Sequence, residues 1–142
     1  MKNKKLDKKI VFIINLEPYS QECIVVCNGN FSDAIKELKK HKSDNAIITL
    51  KHIEENKDKY TDDHHKTKSG HACLYTELPS GYVMIIDHLN SWVDTVGLIV
   101  HESLHLTHYV LHRAGIELTK ESEEAYTYLL EETVEKICAK IY

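Results

Sequence analysis

The stretch from Ser91 to Gly115 restricts this chain's fold most, because apolar residues recur along it and no proline interrupts it. With no proline, every backbone N–H can join the i to i−4 ladder, and the segment reads as one helix of about six turns. Ser91, three residues before Asp94, resembles a capping box with Asp in place of Glu, and Gly115 is a natural terminator. Gly97 is the one weak position inside, costing about 1 kcal/mol relative to Ala.

The flanking segments supply a sheet and further helices. Residues 9–15 and 22–28 are short β-branched runs, the first ending before Pro18 and the second closed by Asn28-Gly29, and both read as strands. From Ser32 as N-cap, Ala34, Ile35 and Leu38 recur at helical spacing through about Lys40. Residues 44–56 place Ile47, Leu50 and Ile53 at helical spacing, although 46–50 taken alone would suit a strand; helix is the expectation. Residues 58–71 are polar, carry His64, His65 and His71, and read as a surface loop. Residues 72–78 and 82–88 flank Pro79-Ser80-Gly81, which has the residue preferences of a type I turn, so they are expected to form a hairpin. After the link 116–119, Thr119 or Ser122 can cap a last helix reaching Ile141, with Glu121, Glu123 and Glu124 near the positive end of its dipole. The expected fold is a single α+β domain over residues 1–142, with a small, mostly antiparallel sheet packed on the long helix and the C-terminal helix.

Composition excludes several functions. The 18 Lys and Arg against 22 Asp and Glu give a formal charge of −4, with no basic face that points to nucleic acid, and the run from Met1 to Lys9 reads as a solvated arm. No apolar stretch approaches the roughly 20 residues that span a bilayer, so no membrane partner is expected and the expected location is cytoplasmic. Cys23, Cys27, Cys73 and Cys138 form no C-x-x-C pair and sit in apolar segments, so buried thiols are expected rather than disulfides or a thiolate zinc site. Histidine is the unusual residue, with ten in 142.

Two of those histidines fall in His101-Glu102-Ser103-Leu104-His105, an H-E-x-x-H pattern within the long helix. At about 100° per residue, His101 and His105 share a face one turn apart, close enough for two imidazole nitrogens to hold one ion at about 2.0–2.1 Å. Glu102 is offset by one residue, so its carboxylate can meet a metal-activated water without being a ligand, which suits a general base. A hydrolytic zinc site needs a third ligand. Glu124 follows His105 with eighteen residues between, at the start of the next helix, and an antiparallel helix pair would bring it back towards the histidines. By angle alone Glu123 competes with it, because it borders the apolar face of that helix, whereas Glu124 points further away.

His101-Glu102-x-x-His105 followed by Glu124-Ala125-Tyr126 resembles the gluzincin zinc metallopeptidases, and also the small single-domain zincin-like proteins of phages and bacteria. The resemblance covers about residues 82–141. It implies a Zn2+-dependent hydrolase of a peptide or protein substrate, with His101, His105 and Glu124 as metal ligands and Glu102 as catalytic base. Some gluzincins carry an Asp one turn after the ligand Glu to orient a histidine; here that position is Tyr128, so the groups around the ligands must differ.

Other residues carry weaker signals. His108 and His112 extend the His101/His105 face and read as a polar helix edge, or as partners or donors to the site; His88 has the same ambiguity. Tyr109, Tyr126 and Tyr128 can each donate a hydrogen bond, and none is singled out. Glu131, two turns beyond Glu124, can approach a histidine. The alternative to an enzyme is a non-catalytic binding protein in which zinc ties two helices together.

Overall fold

Alternation along the strands divides the core in two. The computed structural model describes residues 8–60, 72–87 and 91–142. Among these, β1 (Ile10–Leu16), β2 (Gln21–Cys27), β3 (Ala72–Tyr75) and β4 (Gly81–Ile86) form one sheet in the order β1-β2-β4-β3. The pairs β1/β2 and β3/β4 are antiparallel, while the central pair β2/β4 is parallel, so the sheet is mixed. Phe12, Ile14, Leu16, Cys23, Val25, Cys27, Tyr82, Met84 and Ile86 point into one core. Ile24, Val26, Val83 and Ile85 point into the other. The period of two along a strand assigns each residue to its face. Strands β2 and β4, covered on both sides, read as continuous apolar runs for that reason.

Among the described residues, four α-helices cover the sheet. The second core is closed by α1 (Phe31–Lys40) and α2 (Asp44–Glu55) through Phe31, Ala34, Leu38, Ala46 and Ile53. The ambiguous segment 44–56 is thus helical, capped by Ser43, whose hydroxyl accepts from the Ala46 N–H at 3.1 Å. The cap of α1 is Asn30, not Ser32. Asn30 Oδ1 accepts from the Asp33 N–H at 3.3 Å and Asp33 Oδ2 accepts from the Asn30 N–H at 3.0 Å, a reciprocal box that starts the helix two residues earlier. Burial pushes the Asp33 carboxyl up, but the hydrogen bond from Lys9, the Asn30 N–H and the charges of Lys9 and Lys36 together outweigh it and hold it below its usual value.

The other face carries α3 (Trp92–Arg113) and α4 (Glu123–Ile141). The proline-free segment is one helix, and Ser91 Oγ accepts from the Asp94 N–H at 3.1 Å as its cap. Ile99, Leu106, Val110 and Leu111 are fully buried, an anchorage on the order of 6–12 kcal/mol against leaving them in water. That burial leaves the opposite side of α3 open. Ser122 precedes α4 without capping it by its side chain; its hydroxyl instead donates to the Glu117 carbonyl and accepts from the Thr119 N–H at 2.8 Å.

The hairpin is shorter than expected. β3 ends at Tyr75, because Leu78 is drawn into the second core and the carbonyls of Thr76 and Leu78 are taken by Arg113 at the end of α3, at 2.6 and 2.8 Å. The same guanidinium lies 4.8 Å from the ring centre of Tyr82. Across the parallel seam Gly81 pairs with Glu22, and a Cβ at Gly81 would stand 2.5 Å from the Glu22 carbonyl oxygen, so this close approach requires glycine. None of the described helices is long and apolar enough to cross a membrane.

Candidate metal centre

The open side of α3 carries the histidines. His101 and His105 are exposed one turn apart, with Nε2 atoms 3.2 Å apart and ring centroids 4.9 Å apart. Two nitrogens at about 2.0–2.1 Å from one ion, at a tetrahedral angle, are about 3.3–3.4 Å apart. The spacing is close to that of two ligands of one ion, and it is also that of a hydrogen bond between the two rings.

Glu102 lies between the two histidines in sequence but turns inward. It is 8% exposed; burial pushes its carboxyl above the usual range, and the charges of His101 and His105 pull partly the other way. A carboxylate that holds its proton more tightly is a stronger base, as proton abstraction from water requires. Glu102 opens into a cleft of about 330 Å³, shared with His105 and Tyr109 of α3 and with Ala72, Cys73, Leu74 and Thr76 of the β3 segment. Among the described strands β3 is the last in the sheet order. Arg113 ties the residues just after β3 to the end of α3, holding the two walls of the cleft to one another.

The third expected ligand is not gathered here. Among the described residues, no group of three or more His, Cys, Asp and Glu side chains could hold a metal. The α3/α4 register explains why. The His108 ring packs edge-on to the Tyr126 ring with centroids 5.0 Å apart, and Leu104 and Leu130 line one groove. Glu124, exposed in the first turn of α4, therefore lies towards the C-terminal end of α3, beyond the level of His105. It is two residues, or about 200° of helix, from the buried Tyr126, so it points away from the packed face. Glu123 lines the groove with Leu104 and His108. Glu131, seven residues beyond Glu124, is exposed on nearly the same face of α4.

The remaining candidates separate. His108 and His112 face a neighbouring pocket of about 310 Å³ with Tyr109, Glu117, Leu118 and Tyr126. Tyr126 donates its hydroxyl to the Ile116 carbonyl at 3.0 Å, and Tyr128 is 66% exposed on α4. Only Tyr109 of these three lines the cleft beside Glu102 and His105. Its position was open to sequence reasoning, because helical side chains lean towards the N-terminus and a residue four beyond His105 covers the turn that holds it. Arg113 had no such signal. His64, His65, His71 and His88 lie outside the described residues.

The thiols offer no competing centre. Cys23, Cys27 and Cys73 are buried and Cys138 is half-buried, with no disulfide among the described residues, which include all four. Burial pushes the Cys23 and Cys138 thiols up and Cys27 to about 12, which disfavours the thiolate that metal binding needs. Comparison with protein-family models, curated proteins and solved structures finds no match to this chain.

Proposed function

We propose that this chain is a zinc-dependent hydrolase of peptide or amide bonds, built on a zincin-like arrangement of strand, H-E-x-x-H helix and following helix. The observation that carries this reading is the 3.2 Å separation of the His101 and His105 Nε2 atoms, with the buried Glu102 carboxylate opening into the adjoining cleft. A bound zinc ion would polarise the scissile carbonyl and acidify water beside it. The protein's own groups do the rest. The cleft walled by α3 and the β3 segment holds the substrate beside Glu102. Glu102 takes the proton of the attacking water and passes it to the leaving amine.

His101 and His105 are two of the ligands in this reading, and Glu124 is the third, on the strength of its spacing and the Glu-Ala-Tyr run. Glu123 and Glu131 are its rivals on the same helix, so the test includes all three. Elemental analysis of untagged protein dialysed against zinc should give one equivalent per chain, lost in His101→Ala and His105→Ala. Glu124→Ala should lower the zinc content, while Glu123→Ala and Glu131→Ala keep it; loss in Glu131→Ala with retention in Glu124→Ala would transfer the third ligand to Glu131. Glu102→Gln should keep zinc and lose about 10²–10⁴-fold in hydrolysis of a fluorogenic peptide library. A wild-type protein that binds no stoichiometric zinc, or a zinc-replete Glu102→Gln that cleaves normally, overturns the proposal.

A further inference from the structure

Where α3 ends and α4 begins, a pocket of about 310 Å³ opens that the hydrolytic reading leaves unused. Four of its described lining residues present rings: His108, Tyr109 and His112 from the last two turns of α3, and Tyr126 from the first turn of α4. Glu117 and Leu118, from the connection, complete the described lining. The Tyr126 ring is held at two points, by its hydroxyl on the Ile116 carbonyl at 3.0 Å and by the His108 ring against it. Tyr109 is 45% exposed, so its ring is open to a ligand.

Charge decides what such a pocket admits. Among the described residues no lysine, arginine or histidine forms an ion pair with Glu117. Its surroundings are negative as well, since residues 114–126 carry Glu117, Glu121, Glu123 and Glu124 against Lys120. The pocket also lies at the C-terminal end of the 22-residue α3, where the helix dipole leaves partial negative charge. Arg113, the cation nearest to it along α3, is turned to the carbonyls of Thr76 and Leu78. An anion is repelled there, and a neutral apolar molecule would desolvate the carboxylate without giving it a partner. A cation clothed in alkyl groups meets both demands, because ring faces attract positive charge and its methyl or methylene groups pack on them.

We propose that this pocket binds an alkylammonium group, with Glu117 supplying the countercharge and Tyr109 and Tyr126 the ring surfaces. Neither His101, His105 nor Glu102 is in its described lining, so its ligand binds with or without zinc. Two sources have this chemistry, a free quaternary amine and the lysine side chain of a peptide. Tyr109 is common to the pocket and to the cleft beside Glu102, so a peptide lying in the cleft has the pocket next to it.

The test is a chemical-shift titration of the full chain, zinc-free and with one equivalent of zinc, at pH 8, where an imidazole is ordinarily neutral. The probes are choline, Nα-acetyl-lysine amide, and the uncharged carbon analogue of choline in which a tert-butyl group replaces the trimethylammonium. Resonances of Tyr109, Leu118 and Tyr126 should move with at least one cation, and that cation should bind about fivefold or more tightly than the uncharged analogue. Glu117→Gln and Tyr109→Leu, both at exposed positions, should each weaken it about three- to tenfold. Tyr128→Leu, on α4 outside the described lining, should bind as wild type does. Tighter binding of choline assigns the pocket to a free quaternary amine, and tighter binding of the lysine amide to a peptide. An uncharged analogue that binds as well as choline, affinity unchanged in both Glu117→Gln and Tyr109→Leu, or resonances that move with neither cation overturns the proposal. Each of these leaves the hydrolase reading standing, since that is decided by zinc content and peptide cleavage.

Discussion

Arg113→Met probes how firmly the cleft is held together. Met keeps much of the length and apolar stem of arginine while removing the guanidinium. The native group donates to the Thr76 carbonyl at 2.6 Å and the Leu78 carbonyl at 2.8 Å, and lies 4.8 Å from the Tyr82 ring centre. Hydrogen bonds from a charged donor contribute about 1.5–3 kcal/mol each, but the one to Thr76 lies at the surface, where water replaces most of it. The bond to Leu78 is partly buried, and the cation over a ring adds about 0.5–1 kcal/mol. The expected loss is therefore about 2–3 kcal/mol. Arg113→Lys retains a point charge that reaches one carbonyl at a time, and should lose about half as much. Urea unfolding should show the Arg113→Met midpoint lowered by about 1 M or more with an unchanged slope, and amide exchange in β3 should speed up before the rest of the sheet. A midpoint within about 0.2 M of wild type, or equal losses for Lys and Met, would refute the idea that this fork pins β3 to α3.

Two further outcomes follow from the same helix. In metal-free protein the Glu102 carboxyl is held above its unfolded value by burial, with His101 and His105 opposing, so between the ordinary and the raised value the folded state binds the proton that the unfolded state has lost. Stability is then present at lower pH and declines as pH rises through that window; Glu102→Gln should remove the decline, leaving the variant at least as stable as wild type at pH 8 and closest to it near pH 4 in thermal melts. Gly97 sits exposed in the interior of α3, and a Cβ there meets nothing within 4 Å, so Gly97→Ala should stabilise by about 0.5–1 kcal/mol without touching the cleft, which calorimetry can check by a raised Tm.

What was legible in the sequence was local. α3 could be read because its cap, its stop and the absence of proline each act on backbone only a few residues away. The i, i+4 histidine pair followed from helix geometry alone, and so did the offset of Glu102 from it. The cap of α1 was misplaced by two residues because Ser32 and Asn30 are both good cap residues, and only the reciprocal bonds between Asn30 and Asp33 decide between them. Non-local features were not legible. Nothing in residues 21–27 or 81–86 announces that these strands pair in parallel, since both are simply apolar throughout. The level of each α4 carboxylate against α3 depends on the path of residues 114–122 and on contacts such as His108 with Tyr126, and a spacing rule counts residues without seeing that register. Arg113 was invisible for a related reason, because its acceptors are backbone carbonyls, which every residue has.

The parallel seam at the centre of the sheet also bears on how the chain folds. β1 and β2 can pair across a four-residue connection and β3 with β4 across five, both short closures. Glu22 meets Gly81 only when everything between them, including α1 and α2, has been brought back to the same place. Closing so long a loop carries an entropy cost that short hairpins avoid, and chains rich in such contacts fold slowly. The two hairpins are thus the natural early structures, and the seam between them the slow one. Gly81 stands at that seam, where a Cβ would meet the Glu22 carbonyl oxygen at 2.5 Å, so a side chain there would obstruct the closing of the two halves.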